Sequence, residues 1–231
     1  MSAPTFSHPP HGTCFVNASR TQLNKSIPST LRAPLLGLSD WRVGPDQLAP
    51  PFMERRGWIQ PVCLAVTTPE EIKEKSSSFE RFYIPGEFCR QGDVLSAAAD
   101  SGRLILLERG AFLAPNDIVR AVEKISTAKA NLILVEAGSS FGYSDRVLDP
   151  RSLEKLKRLN CPIALNLNAL TGTEGHSYAH RPAWIEDPQF DVALVRTALA
   201  FEVQYLILPD TRDLNPEALE LWHSSRKVVA P

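Results

Sequence analysis

The sequence predicts an α/β chain folded as a (β/α)8-type TIM barrel. From residue 62 to the end, short runs rich in Val, Ile and Leu alternate with amphipathic stretches, the pattern of parallel strands covered on both faces by helices. Several of those stretches open on an Asx residue or a proline, where a helix should begin. No GxGxxG and no GxxxxGK phosphate loop is present to favour the doubly wound open sheet, which would give the same alternation.

In chain order the candidate strands are Thr13 to Val16, Val62 to Val66, Phe82 to Ile84, Leu104 to Leu107, Leu132 to Val135, Ile163 to Leu167 and Tyr205 to Leu208. The helical patterns are Pro69 to Lys75, Gln91 to Ala99, Asn116 to Ser126, Arg151 to Leu159, Pro188 to Phe201 and Pro216 to Ser225. Pro115-Asn116-Asp117, Asp149-Pro150 and Asn215-Pro216 are the start signals. Seven strands are one short of a closed barrel, so either a strand escapes this reading or the barrel lacks one, the first. Residues 28–51 hold five prolines and argue against a long helix there. Residues 1–12, with three more, read as a disordered tail ahead of one barrel domain over residues 13–231.

The chain has 231 residues, 43% apolar and 22% charged, with 25 basic against 26 acidic residues. A formal charge of -1 provides no long-range field to draw nucleic acid or an anionic membrane, so neither is expected as a partner. No window approaches the ~18 apolar residues that span a bilayer. Four cysteines without a CxxC pair fit a reduced, cytoplasmic setting.

Ile84 to Val94, reading IPGEFCRQGDV after Phe82-Tyr83, resembles the strand-to-helix element of KDO 8-phosphate synthase. Leu104 to Pro115 (LILLERGAFLAP) and Leu132 to Tyr143 (LILVEAGSSFGY) resemble the two strands and loops that follow in that family. Ala18 to Pro34 is similar, without a gap, to its K-A-N-R-S loop and the R-G-P after it. The family condenses phosphoenolpyruvate with arabinose 5-phosphate. The resemblance therefore implies a barrel whose C-terminal mouth holds two phosphorylated substrates, each needing paired cations.

Position by position, the implied chemistry survives unevenly. The family's sugar-phosphate contacts fall on Asn24, Lys25, Ser26 and Arg90, with lysine in place of a bidentate arginine. Of the two cations implied for the other phosphate, one falls on Arg109 and the other on Ala137. The loop lysine near the reacting centre becomes Gln22, and the D-V-H-E-P stretch becomes Ala65-Val66-Thr67-Thr68-Pro69. Metal-dependent members use a cysteine, a histidine, a glutamate and an aspartate. Here the cysteine's strand has no evident counterpart, Asn168 or Ala169 stands at the histidine, and Tyr205 to Leu208 covers the glutamate. That leaves Asp213, so no metal and no other cofactor is expected.

Other residues admit a bland reading beside the functional one. His176 and His180, with Glu174, could form a replacement site or simply lie in a solvated loop. His8, His11 and Cys14 have ligand-like spacing but sit among prolines. Arg90 could pair only with Asp93, and Arg109 with Glu108. Phe141, in Phe141-Gly142-Tyr143, either contacts a ligand or fills the mouth. Asn166 and Asn168 alternate along an apolar strand, so both should face one side and require partners.

The reading that follows is a divergent barrel with a degenerate catalytic set. It would bind a sugar phosphate or other small anion through Asn24, Lys25, Ser26, Arg90, Arg109, Phe141, Asn166 and Asn168, without the ancestral condensation. The alternatives are an active synthase joining phosphoenolpyruvate to an aldose phosphate, and a structural subunit packing on a homologue. The family's oligomers imply a homo-oligomer or a complex with a homologue.

Overall fold

The computed structural model describes residues 14–17, 35–38, 63–125, 132–141, 145–171, 187–208 and 214–225. The strands are β1 Cys14–Asn17, β2 Leu35–Leu38, β3 Cys63–Ala65, β4 Arg81–Ile84, β5 Leu104–Glu108, β6 Leu132–Glu136, β7 Ser139–Phe141, β8 Asp145–Val147, β9 Ile163–Asn166 and β10 Tyr205–Leu208. The helices are α1 Pro69–Lys75, α2 Gly92–Asp100, α3 Val119–Ile125, α4 Pro150–Lys157, α5 Leu167–Thr171, α6 Gln189–Ala200 and α7 Pro216–Ser224. A 3-10 turn, Gly86–Phe88, lies between β4 and α2.

Eight strands, all parallel, close into a barrel in the order β1-β10-β9-β6-β5-β4-β3-β2, while β7 and β8 form a separate antiparallel hairpin. The seven strands expected from the sequence all take their places. The eighth is Leu35–Leu38, which pairs with Cys14–Asn17 on one side and reaches Cys63 on the other. Its run LLGL is short and enclosed by prolines, too brief for periodicity to register. Residues 1–13, where a strand ahead of Cys14 would lie and where the tail was expected, fall outside the described residues.

Pleat parity sorts the core. Leu104 and Leu106 point into the barrel with Cys63, Tyr83, Ile133, Val135, Ala164, Tyr205 and Ile207. Ile105 and Leu107 point outward and join Leu64, Ile84, Leu134, Leu165, Leu206 and the buried faces of the helices. Both faces of the strands are thus covered, which is why they read as unbroken apolar runs.

Two of the three start signals behave as capping chemistry requires. Asp149 accepts a hydrogen bond from the Arg151 N–H at 2.9 Å, and Asn215 accepts one from Glu217 at 2.9 Å. Thr68 and Glu71 form a reciprocal capping box on α1, with Pro69 at the first position. The third helix begins at Val119 rather than Asn116, because Asn116-Asp117 belongs to a turn in which the Asp117 N–H meets the Ala114 carbonyl.

Cys63, Cys89 and Cys161 are free and buried. Burial pushes the Cys63 and Cys89 thiols up, so they act as small hydrophobes rather than nucleophiles. Among the described residues no helix is long and apolar enough to cross a membrane.

Leu107 is fully buried between β5 and the helical layer. Leu107→Ala should cost about 2–5 kcal/mol through the cavity it leaves, read as a lower urea midpoint at unchanged slope. Thr68→Ala, which removes only a cap, should cost about 1 kcal/mol.

Candidate functional site

At the C-terminal mouth the inward parity of the strands changes from apolar to polar. Glu108 continues the inward series of Leu104 and Leu106, and Asn166 continues that of Ala164. The Tyr83 hydroxyl donates to Glu108, and the Asn166 amide donates to the same carboxylate oxygen at 3.2 Å. The other Glu108 oxygen faces the Arg146 guanidinium at 3.5 Å. Glu108 is only 6% exposed. Burial pushes its carboxyl above the usual range and Glu87 adds to the rise, while Arg146 and the Tyr83 and Asn166 donors pull it back without cancelling it.

Arg109 has the opposite parity, following Ile105 and Leu107, and turns away from this tier. It is 1% exposed. Its Nε and one terminal nitrogen form a two-pronged ion pair with Glu136 at 2.9 and 2.5 Å. The remaining donors go to the carbonyls of Gly110, Leu113 and Gly138 and to the Ser139 hydroxyl. All three guanidinium nitrogens are engaged within the protein. The pairing expected with the adjacent Glu108 does not form, because neighbours in a strand face opposite ways.

Loop geometry holds these groups in place. Gly138 has φ +82°, which lets its N–H reach Glu136 at 2.7 Å and its carbonyl meet Arg109. A side-chain carbon there would also lie 2.7 Å from Leu170. Gly86 and Gly110 approach so closely that a Cβ on either would fall 2.9 Å or less from the opposite backbone. The turn carrying Arg90 is thereby pressed against the end of β5.

Arg90 itself is exposed between β4 and α2. Among the described residues it forms no ion pair, and Asp93 instead accepts from the Val94 N–H at 2.9 Å. Phe141 is 66% exposed on β7 and Phe112 61% exposed in the loop after β5. The Ser140 N–H binds the Ala111 carbonyl at 3.0 Å and ties the hairpin to that loop.

The asparagines require a correction. Asn166 ends β9, and its side-chain oxygen accepts the Ala169 N–H at 3.0 Å, capping α5. Asn168 is therefore a buried residue of a helical turn rather than the next inward strand position. Strand alternation stops at the cap.

Asn24, Lys25, Ser26, Gln22, Gly142, Tyr143, His8, His11, Glu174, His176, His180 and Asp213 lie outside the described residues. Tyr83, Glu108 and Arg146 are the residues sequence reasoning did not assemble. The missed signal was parity, since Glu108 lies two and four residues beyond Leu106 and Leu104. Arg146 had no local signal, because a three-residue strand is too short to read.

The described residues do not fit the metal set of the metal-dependent enzymes. Asn168 or Ala169 stands where the resemblance implies the histidine, and the buried Tyr205–Leu208 strand brings no carboxylate.

No protein-family model matches the chain. The chain is similar to curated proteins named 2-dehydro-3-deoxyphosphooctonate aldolase. The one from Syntrophotalea carbinolica is 34% identical over 150 residues, 63% of this chain and 52% of that protein. The one from Bartonella henselae is 31% identical over 157 residues, covering 66% and 54%. The one from Pisum sativum is 40% identical over 85 residues, covering 36% and 29%. The chain spans about half the length of the first two.

Two outcomes test this geometry. Arg109→Met leaves Glu136 buried without its cation and should cost about 3–5 kcal/mol in urea unfolding, whereas Arg90→Ala, on the surface, should stay within about 0.5 kcal/mol. The raised Glu108 pKa means the folded chain holds this proton more tightly than the unfolded chain. Its ionisation therefore removes stability as pH rises from the ordinary glutamate range through the folded value. Glu108→Gln should be close to wild type in acid and more stable than wild type above that window, as followed by melting temperature against pH.

Proposed function

From the premise that this chain belongs to the KDO 8-phosphate synthase (2-dehydro-3-deoxyphosphooctonate aldolase) family, we propose that it is a divergent, synthase-like barrel that binds a sugar phosphate or similar small anion without the ancestral condensation. The observation that carries this reading is the internal saturation of Arg109, with Ala137 at the neighbouring position. The resemblance puts two cations for the phosphoenolpyruvate phosphate there. One guanidinium spends its donors on Glu136 and loop carbonyls, and the other position has no charge. Glu108 adds a buried carboxyl to the same mouth, and an anion arriving beside its ionised form meets repulsion in a low-dielectric setting.

Arg109 is accordingly a residue that positions the loops in this reading, not a ligand. The anion contacts in this reading are those the resemblance implies for Asn24, Lys25, Ser26 and Arg90, supported by an exposed Arg90 that no described carboxylate neutralises. Asn166 is occupied by Glu108 and the Ala169 N–H and is a positioning residue in this reading. Self-association, or pairing with a homologue, belongs to the same reading and is supported by the exposed aromatic rings of Phe112 and Phe141.

Purified full-length chain is offered phosphoenolpyruvate with arabinose 5-phosphate and then erythrose 4-phosphate, with and without divalent metal, and inorganic phosphate is measured. The expected result is no release above a boiled control; release with either pair would overturn the non-catalytic reading. Calorimetry should still detect arabinose 5-phosphate, and Arg90→Ala should weaken it by about tenfold or more, as loss of a charge-assisted contact does.

A further inference from the structure

We propose that Arg146 is the cation of a second anion site in the barrel mouth and that Glu108 is its built-in competitor, so that an anion enters by displacing this carboxylate, which takes up one proton from solvent. β8 carries the Arg146 guanidinium over the chain end of β6, 3.4 Å from the Ala137 carbonyl and 3.5 Å from Glu108. The guanidinium thus stands at the backbone of Ala137, whose own side chain carries no charge.

The two arginines of the mouth differ in how they are held. Arg109 is 1% exposed, with every guanidinium nitrogen bonded. Arg146 has a side chain 23% exposed, and among the described residues only one terminal nitrogen makes contacts, both near the outer limit of a hydrogen bond. Among the described residues its other donors have no partner, which suits a ligand. A phosphate, sulfate or carboxylate can take a guanidinium through two parallel N–H bonds, which the single long contact to Glu108 does not match.

Glu108 is suited to give way because neutralising it keeps both of its uncharged donors paired. The Tyr83 hydroxyl and the Asn166 amide still have an oxygen to donate to after the carboxyl gains a proton. The titratable and charged groups around it are Tyr83 on β4, Glu87 and Cys89 in the turn that follows, and Arg146 on β8. Glu87 opposes ionisation, and burial keeps the Cys89 thiol protonated, so Arg146 is the charged group that favours the carboxylate. An anion that captures Arg146 removes this support, and burial then favours the neutral acid. Anion affinity must rise as pH falls through the Glu108 titration.

The inference rests on the preceding reading only in taking the bound molecule to be an anion, and its test separates the two. The probe is sulfate, whose charge is constant over the range, titrated into full-length Arg90→Ala protein so that the sugar-phosphate site is disabled. Binding should be about tenfold tighter at about pH 5 than at about pH 8, since one pKa unit of coupling is tenfold in affinity. Buffers of different ionisation enthalpy should show net proton uptake on binding, reaching about half a proton at its maximum for a coupling of that size. Adding Glu108→Gln should give the tight binding at both pH values, and adding Arg146→Gln, a partly exposed hairpin substitution outside the apolar core, should abolish it at both. Equal affinity at the two pH values, or binding that survives Arg146→Gln, would overturn the proposal. Proton-linked sulfate binding in a protein that never binds arabinose 5-phosphate would support this site while removing the one proposed above.

Discussion

The buried pair between Arg109 and Glu136 fixes the arrangement of the mouth. It joins the ends of β5 and β6, fastens the loop through Gly110 and Leu113, and holds the turn at Gly138 that launches the β7–β8 hairpin. Two charges out of water are tolerated only when their hydrogen bonds are complete. Here completeness requires the carbonyls of three loop residues and a positive φ at Gly138. The same interaction that makes Arg109 unavailable to a ligand therefore places Ser139 to Phe141, and with it the strand that delivers Arg146.

Parity explains why adjacent residues of one strand end have different roles. Glu108 and Arg109 are neighbours in sequence, yet one meets Tyr83 and Asn166 and the other meets Glu136 and the loops beyond the strand ends. A cation on the outward series is drawn into a structural pair, and an acid on the inward series becomes the polar cap of an apolar barrel. Three neutral or cationic groups, Tyr83, Asn166 and Arg146, converge on that acid from β4, β9 and β8. Because they come from separate elements, the acid also records whether the barrel and its hairpin are correctly assembled.

The strand order was legible because parallel strands are apolar on both faces and their helices carry caps. Asp149 and Asn215 marked helix starts that hold in the structure, while Asn116-Asp117 falls in a turn ahead of its helix. What escaped notice was short or dependent on distant partners. Leu35–Leu38 gains its identity only by filling the ring between β1 and β3, and the hairpin strands have three residues each. Asn166 illustrates the same limit at a single position. Apolar alternation carried the strand past it, whereas its side chain stops the strand by capping α5.

The ligand set was less legible than the fold because charge type does not determine availability. Arg90 and Arg109 are equally cationic in the sequence, but one is exposed without a carboxylate among the described residues and the other is consumed by six contacts. An anion that approached Arg109 would have to break a two-pronged buried pair and strand Glu136, at a cost of several kcal/mol. At Arg146 it would displace one long contact to an acid that burial already inclines toward its neutral form. The difference between those costs, rather than the number of arginines, sets how readily each arginine could be turned toward a negative charge.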